Sequence, residues 1–156
     1  HMYREGCEIL AACLNRNEGV EAVVSPEYGW PADPSLLEDI DVLALYTSAG
    51  GDVVLAPERA EAFRALMARG VGFAAVHWST ATNDAALGPE YLSILGGWFH
   101  FEHSGLDVSD KPLVPLAPEH PVLRGWTPYV IHDEFYLDLK FAPDATLLAE
   151  IPLPVR

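Results

Sequence analysis

The sequence has 156 residues and a mass of 17.0 kDa, which suits one domain. Half the residues are hydrophobic and 21% are charged, so a packed core is available and intrinsic disorder is disfavoured. Nine basic against 23 acidic residues give a net charge of −14, which disfavours a nucleic-acid groove or an anionic membrane surface as partner. Neutral or cationic small molecules remain open as ligands.

Residues 3–17 read as a helix, with Cys7, Leu10 and Leu14 on one face. Six residues separate Cys7 from Cys13. At 1.5 Å rise per residue their Cα atoms lie about 9 Å apart, too far for a disulfide. Gly19 fits a helix stop, and residues 20–24 read as a short strand. A Pro-rich connection with Trp30 fills 25–39. Residues 40–46 form a nearly continuous apolar run, as in a strand buried on both faces. Residues 47–52 are an expected loop. Residues 57–69 are an expected helix, with proline in its first turn and Gly70 after it.

Residues 71–77 read as a second buried strand, 78–84 as a loop, and 89–95 as a short helix ending in Gly96-Gly97. Beyond residue 105, prolines at 112, 115, 118, 121 and 128 break the chain into short extended pieces. Residues 129–131 and 146–149 are the strands expected there. Strands alternating with helices imply an α/β fold with a mostly parallel sheet covered on both faces. No apolar run approaches the roughly 20 residues that span a bilayer. The chain opens on a helix where such sheets open on a strand, and it ends abruptly. A segment of a longer protein is expected; the alternative is that His1-Met2 is a cloning remnant. The expected compartment is the cytoplasm, with a secreted or periplasmic one open because a leader could lie upstream.

Ligands of open α/β sheets bind beyond the carboxyl ends of the strands. His77 closes an apolar strand and leads into Trp78-Ser79-Thr80, the place where a nucleophile elbow sets its reactive residue. An imidazole there can serve as acid, base or metal ligand; the plainer reading is a histidine bonded to a loop carbonyl. A second cluster runs from Gly96 to His103. His103 precedes Ser104-Gly105 and is the better site candidate, while His100 can simply pack among aromatics. A third cluster is His132-Asp133-Glu134-Phe135-Tyr136. Adjacent carboxylates face one pocket in a turn but not in a strand, and a turn cap is the alternative role.

His77, His103 and Glu134 could together form a two-histidine, one-carboxylate metal site for zinc or another divalent ion, although their spacing is long and irregular. Without metal, histidine and carboxylate still serve acid–base catalysis. Rival chemistries lack their residues. Neither cysteine closes a strand, there is no G-x-S-x-G, and Ala49-Gly50-Gly51 has no lysine after it. Trp30, Trp78, Trp98, Trp126 and Tyr136 exceed what a core of this size needs, with Trp126 the one best read as core. Aromatic faces beside carboxylates suit a sugar.

The segments 70–80 (GVGFAAVHWST), 95–104 (LGGWFHFEHS), 119–126 (EHPVLRGW) and 131–139 (IHDEFYLDL), in this order, resemble the trehalose-utilisation family of ThuA-like domains. The opening HMYREGCEILAACL is similar to the first helix of one branch. The resemblance spans nearly the whole chain. It implies a class I glutamine amidotransferase-like fold, a flavodoxin-like three-layer sandwich, without the catalytic cysteine. It puts His77 at the elbow and matches His103 to the histidine after the Gly-Gly-aromatic-Phe segment. It matches Asp133, Glu134 and Tyr136 to the family's Asp-Glu-x-Tyr motif. The family's leading strand and the histidine loop after it are missing here, and His1, if native, would be that loop's last residue.

The role implied is sugar catabolism, in pathways that oxidise disaccharides such as trehalose to keto-sugars. The expectation is therefore an enzyme on a disaccharide or keto-sugar: a hydrolase, lyase or isomerase, not an amidotransferase. His77, His103, Glu134 and Asp133 would be catalytic, and Trp78, Trp98, Tyr136 and Ser79 would contact the sugar. A homo-oligomer is a candidate assembly. The alternative is a non-catalytic sugar-binding or assembly module on an inherited fold.

Overall fold

The computed structural model describes residues 2–152. His1 and the last four residues lie outside the described residues, so the reading of His1 is not addressed. Helix α1 spans Tyr3–Leu14, shorter than the expected 3–17. The Asn17 amide ends it by donating to the carbonyls of Cys13 and Leu14, at 3.3 and 3.0 Å. Cys7 and Cys13 are both free thiols. The helix sits against Tyr46 through Gly6, where an added Cβ would lie 2.3 Å from the Tyr46 ring.

Residues 20–24 form no strand, contrary to expectation. The Asn15 side chain takes both main-chain groups of Ala22, donating to its carbonyl at 3.0 Å and accepting its N–H at 2.6 Å. A side-chain amide thus satisfies the groups that a neighbouring strand would pair.

Strand β1 (Val42–Leu45) pairs in parallel with β2 (Gly72–Ala75), from Val42↔Gly72 to Leu45↔Ala75. Each is shorter than expected and only half-buried: Leu45 is buried, whereas Val42 is exposed. Between them run α2 (Gly50–Val54) and α3 (Ala60–Ala68). Helix α2 begins inside the expected loop 47–52, because Gly50 and Gly51 allow a close approach. A Cβ at Gly50 would lie 2.3 Å from the Ser79 carbonyl, and one at Gly51 2.1 Å from the Thr82 side chain. Helix α3 buries Phe63 and Leu66, and Pro57 lies in the turn before it.

The expected loop 78–84 contains a 3₁₀ turn, His77–Thr80, and strand β3 (Ala81–Thr82). Helix α4 (Gly88–Leu95) ends at Gly96, whose φ of +82° is the left-handed helix stop expected there. Strand β4 (Gly97–His100) lies between β3, parallel, and β7 (Lys140–Phe141), antiparallel. Tyr91 and Trp98 join Leu45, Val54, Leu55 and Phe63 in the core, with Trp30 packed partly against it.

The broken region after residue 105 is instead a long hairpin-like pair. Strand β5 (Gly105–Pro115) runs antiparallel to β6 (Tyr129–Leu137), and β8 (Ala149–Glu150) pairs with the end of β5. Pro112 is tolerated because β5 has β6 on one side alone over 105–113, and an edge strand can spare an N–H. The expected strand at 129–131 extends to Leu137, while the one at 146–149 shrinks to Ala149–Glu150. The chain is α/β, but its pairing is mixed rather than mostly parallel: β1–β2 and β3–β4 are parallel, and the other three pairs are antiparallel. Among the described residues no helix is long and apolar enough to cross a membrane.

Tyr91 is fully buried and donates its hydroxyl to the Ser79 carbonyl. Burial raises its pKa above the ordinary tyrosine value of 10.0. Above about pH 10 the unfolded chain ionises first, so stability falls as pH rises through that value. Tyr91→Phe leaves the Ser79 carbonyl unpaired and should cost about 1–3 kcal/mol at pH 7. It should also flatten the alkaline loss of stability; urea unfolding at pH 7 and pH 11 checks both effects.

Candidate functional site

His77 lies two residues beyond the end of β2 and opens the 3₁₀ turn, and its φ of +58° lies in the left-handed region. A non-glycine residue is rarely held there, and such strain collects at functional sites. The Thr80 hydroxyl donates to the His77 carbonyl at 3.0 Å and closes the turn. Ser79, fully buried, accepts the Thr47 N–H at 2.7 Å and donates to the Thr47 carbonyl at 3.0 Å. Its hydroxyl ties the loop after β1 to the loop after β2. Ser79, expected from the sequence to contact the sugar, has its hydroxyl buried and both bonds committed to Thr47.

The His77 ring has a defined tautomer. Its Nδ1 accepts the main-chain N–H of Trp78 at 2.8 Å. An amide can only donate, so in the neutral ring the proton sits on Nε2. The Tyr136 hydroxyl also bonds Nδ1, and must donate to it. Nε2 faces Glu134 Oε2 at 3.5 Å, and the same oxygen accepts the Trp78 indole N–H at 3.2 Å. Burial, with Glu134 and the nearby Tyr3, Asp133 and Tyr46 adding to it, holds the Tyr136 hydroxyl above the ordinary tyrosine pKa. It stays a proton donor.

Glu134 and Tyr136 alternate on β6 and so share one face. Asp133 takes the opposite face, is exposed, and accepts the Glu134 N–H at 2.8 Å through its own carboxylate. The segment is a strand rather than a turn, so the pleat separates the two carboxylates. The structure does not bring Asp133 into the group around His77.

Aromatic rings surround the group. Trp78 packs on Tyr136, with centroids 4.9 Å apart, and stacks on Phe101 at 5.9 Å and 9°. Tyr46 lies 6.4 Å from the His77 ring, and Tyr3 packs on Tyr46 at 5.1 Å. Burial raises the Tyr3 pKa against the opposing bond to Ser48. Phe101, Tyr3 and Tyr46 were not singled out in the sequence. Tyr46 had a readable signal, since it closes the strand beside the one that His77 closes.

Trp98 does not join them. It is buried in the core against Gly88, where an added Cβ would fall 1.9 Å from its ring. Trp126 is half-buried against Tyr129 and outside the core group. His103 stacks on His100 with centroids 4.4 Å apart and an interplanar angle of 29°. Among the described residues, the group of three metal-ligating side chains with donor atoms within 4.8 Å is His100, Glu102 and His103. The expected set of His77, His103 and Glu134 is not assembled: the structure joins His77 to Glu134 and puts His103 elsewhere.

The sequence matches the family model ThuA, described as trehalose utilisation, over residues 1–154. The chain belongs to the ThuA family. No curated protein and no solved structure matches it. Membership in the ThuA family ties the chain to carbohydrate metabolism of the trehalose-utilisation kind.

Zinc does not fit the His77 group as the sequence suggested. Nδ1 is engaged by Trp78 and Tyr136, and among the described residues the group then offers Nε2 and Glu134, short of the three or four protein ligands zinc takes. A larger apolar cavity of about 420 Å³, lined by Leu113, Phe135, Leu137, Leu147 and Ile151 among others, shares only Tyr136 with the group.

The backbone at His77 yields a test by substitution. Any side chain with a Cβ is penalised in the left-handed region by about 1–2 kcal/mol and a β-branched one most, whereas glycine is not. His77→Val should therefore unfold at lower urea than His77→Ala, and His77→Gly at a midpoint no lower than His77→Ala. Equal midpoints for all three would show that the backbone relaxes.

Proposed function

We propose that this ThuA-family chain acts on a disaccharide or keto-sugar by acid–base chemistry at His77 and Glu134. The observation that carries the reading is the meeting of His77, Glu134 and Tyr136 at the end of β2, on a strained backbone. The βαβ crossover also supports reading the chain as part of a flavodoxin-like three-layer sandwich.

The roles follow from the tautomer. Trp78 and Tyr136 both donate to Nδ1, which keeps the proton on Nε2. At 3.5 Å the bond from Nε2 to Glu134 is long, so this N–H can turn to a substrate oxygen. A neutral imidazole N–H polarises a carbonyl and stabilises the oxyanion that develops on it. Glu134 Oε1 carries no hydrogen bond among the described residues. It is the atom that would take a proton from the carbon beside a keto group, or from a hydroxyl. Tyr136 positions His77. Trp78 and the half-exposed Phe101 offer stacked ring faces to the C–H surface of a sugar.

A keto-disaccharide incubated in heavy water tests this, with deuterium beside the carbonyl followed by NMR. Exchange should be catalysed by the chain and fall by about a hundredfold or more in Glu134→Gln and in His77→Ala, with circular dichroism unchanged. Unaltered exchange in both variants would remove the pair from the chemistry. Sugar binding without exchange would favour the alternative, a sugar-binding module.

A further inference from the structure

Beyond the His77 group, the turn after β4 gathers a second set of side chains. The carbonyl of His100 accepts the N–H groups of His103 and Ser104 at 3.0 and 2.7 Å, and this folds His103 back over His100. Glu102 stands between them, and one donor atom of each residue lies within 4.8 Å of the other two. His100 is buried, whereas Glu102 and His103 are exposed.

An independent observation lies on the same face of the sheet. Thr82 is the register partner of His100, and Trp98 precedes His100 by two residues. Both are more than nine-tenths buried, at 2% and 4% exposure. The Thr82 hydroxyl and the Trp98 indole N–H have no hydrogen-bond partner among the described residues. Thr82, Trp98, His100 and Glu102 line one small cavity of about 50 Å³, room enough for a water molecule. Buried donors left unmet cost about 1–3 kcal/mol each, so the cavity calls for a polar occupant.

We propose that His100, Glu102 and His103 bind one divalent transition ion of the zinc class, with a metal-bound water in this cavity. Two imidazoles and a carboxylate are a borderline-soft donor set that suits zinc rather than calcium or magnesium. Three protein ligands leave a coordination position for water. That water accepts the Trp98 N–H and bonds the Thr82 hydroxyl, which accounts for both unpaired groups. Two features oppose loading. His100 Nδ1 already accepts the Glu102 N–H at 3.1 Å, so coordination disturbs that bond. Lys140, 5.1 Å from the Trp98 ring centroid, adds a positive charge nearby. Tetrahedral bonds of about 2.1 Å set donors about 3.4 Å apart, inside the 4.8 Å bound, and the exposed residues 102 and 103 have room to adjust to it.

Zinc titration of the full chain without a histidine tag, by competition with a chromophoric chelator, tests the site. One equivalent should bind, with affinity about tenfold or more weaker in His103→Ala and in Glu102→Gln and unchanged in His77→Ala. Both altered residues are exposed, so the fold tolerates the changes, and thermal melting without metal checks this. No stoichiometric binding, or equal binding by His103→Ala, would overturn the proposal. Loss in His77→Ala with retention in His103→Ala would overturn it too and move the ion to the His77–Glu134 pair. The readout is metal content, so the outcome is independent of sugar chemistry.

Discussion

The hydroxyl of Ser79 is the interaction on which the site depends. It bonds both main-chain groups of Thr47 while fully buried, and so locks the end of β1 to the end of β2. Tyr91 holds the Ser79 carbonyl from α4, and α2 can approach that carbonyl only because residue 50 is glycine. These contacts over-determine the turn in which His77 sits at positive φ. Strain of about 1–3 kcal/mol persists only where its surroundings leave no cheaper backbone. The polar atoms of Ser79 are therefore spent on the scaffold, whereas its neighbours His77 and Trp78 turn theirs toward Glu134.

The second half of the site arrives from far along the chain. Glu134 and Tyr136 follow His77 by more than fifty residues, and the pleat of β6 selects them. The β5 register sets Val108 opposite Glu134 and Leu106 opposite Tyr136. A slip of one residue would turn Asp133 and Phe135 toward His77 instead, because side chains alternate between faces. The choice between adjacent carboxylates is thus made by strand parity. It rests on whether the segment is strand or turn, which is why the sequence left Asp133 and Glu134 together as candidates.

What was legible in the sequence follows the range of the forces involved. The α4 stop at Gly96 and the apolar stripe of α3 are local and were readable. So was His77, since an apolar run followed at once by a polar turn marks a strand end. The strand at 20–24 failed because a single side chain, Asn15, met the main chain that a strand would have met. The β5 strand was hidden by prolines, which mark a break only where a second neighbour needs the N–H. Trp98 and Ser79 read in the sequence as contacts of a sugar pocket; the structure buries both, against Gly88 and Thr47, which are distant in the chain. Long-range enclosure leaves no local pattern.

His77 and His100 show how similar local rules diverge through their partners. His100 closes β4 and His77 lies just past β2, and each has Nδ1 engaged by a main-chain N–H close behind it, that of Trp78 and that of Glu102. Both bonds are local in the chain, so the main chain beside each ring sets its tautomer. What faces the rest of the ring differs. His77 meets a carboxylate and a phenol brought by a remote strand, and so gains a proton acceptor and a donor held in place by the fold. His100 meets His103 and Glu102 from its own turn, whose donors can shift together because two of them are exposed. Held geometry favours proton transfer, which requires fixed positions to within a fraction of an ångström. Adjustable donors favour an ion that draws its own ligands together.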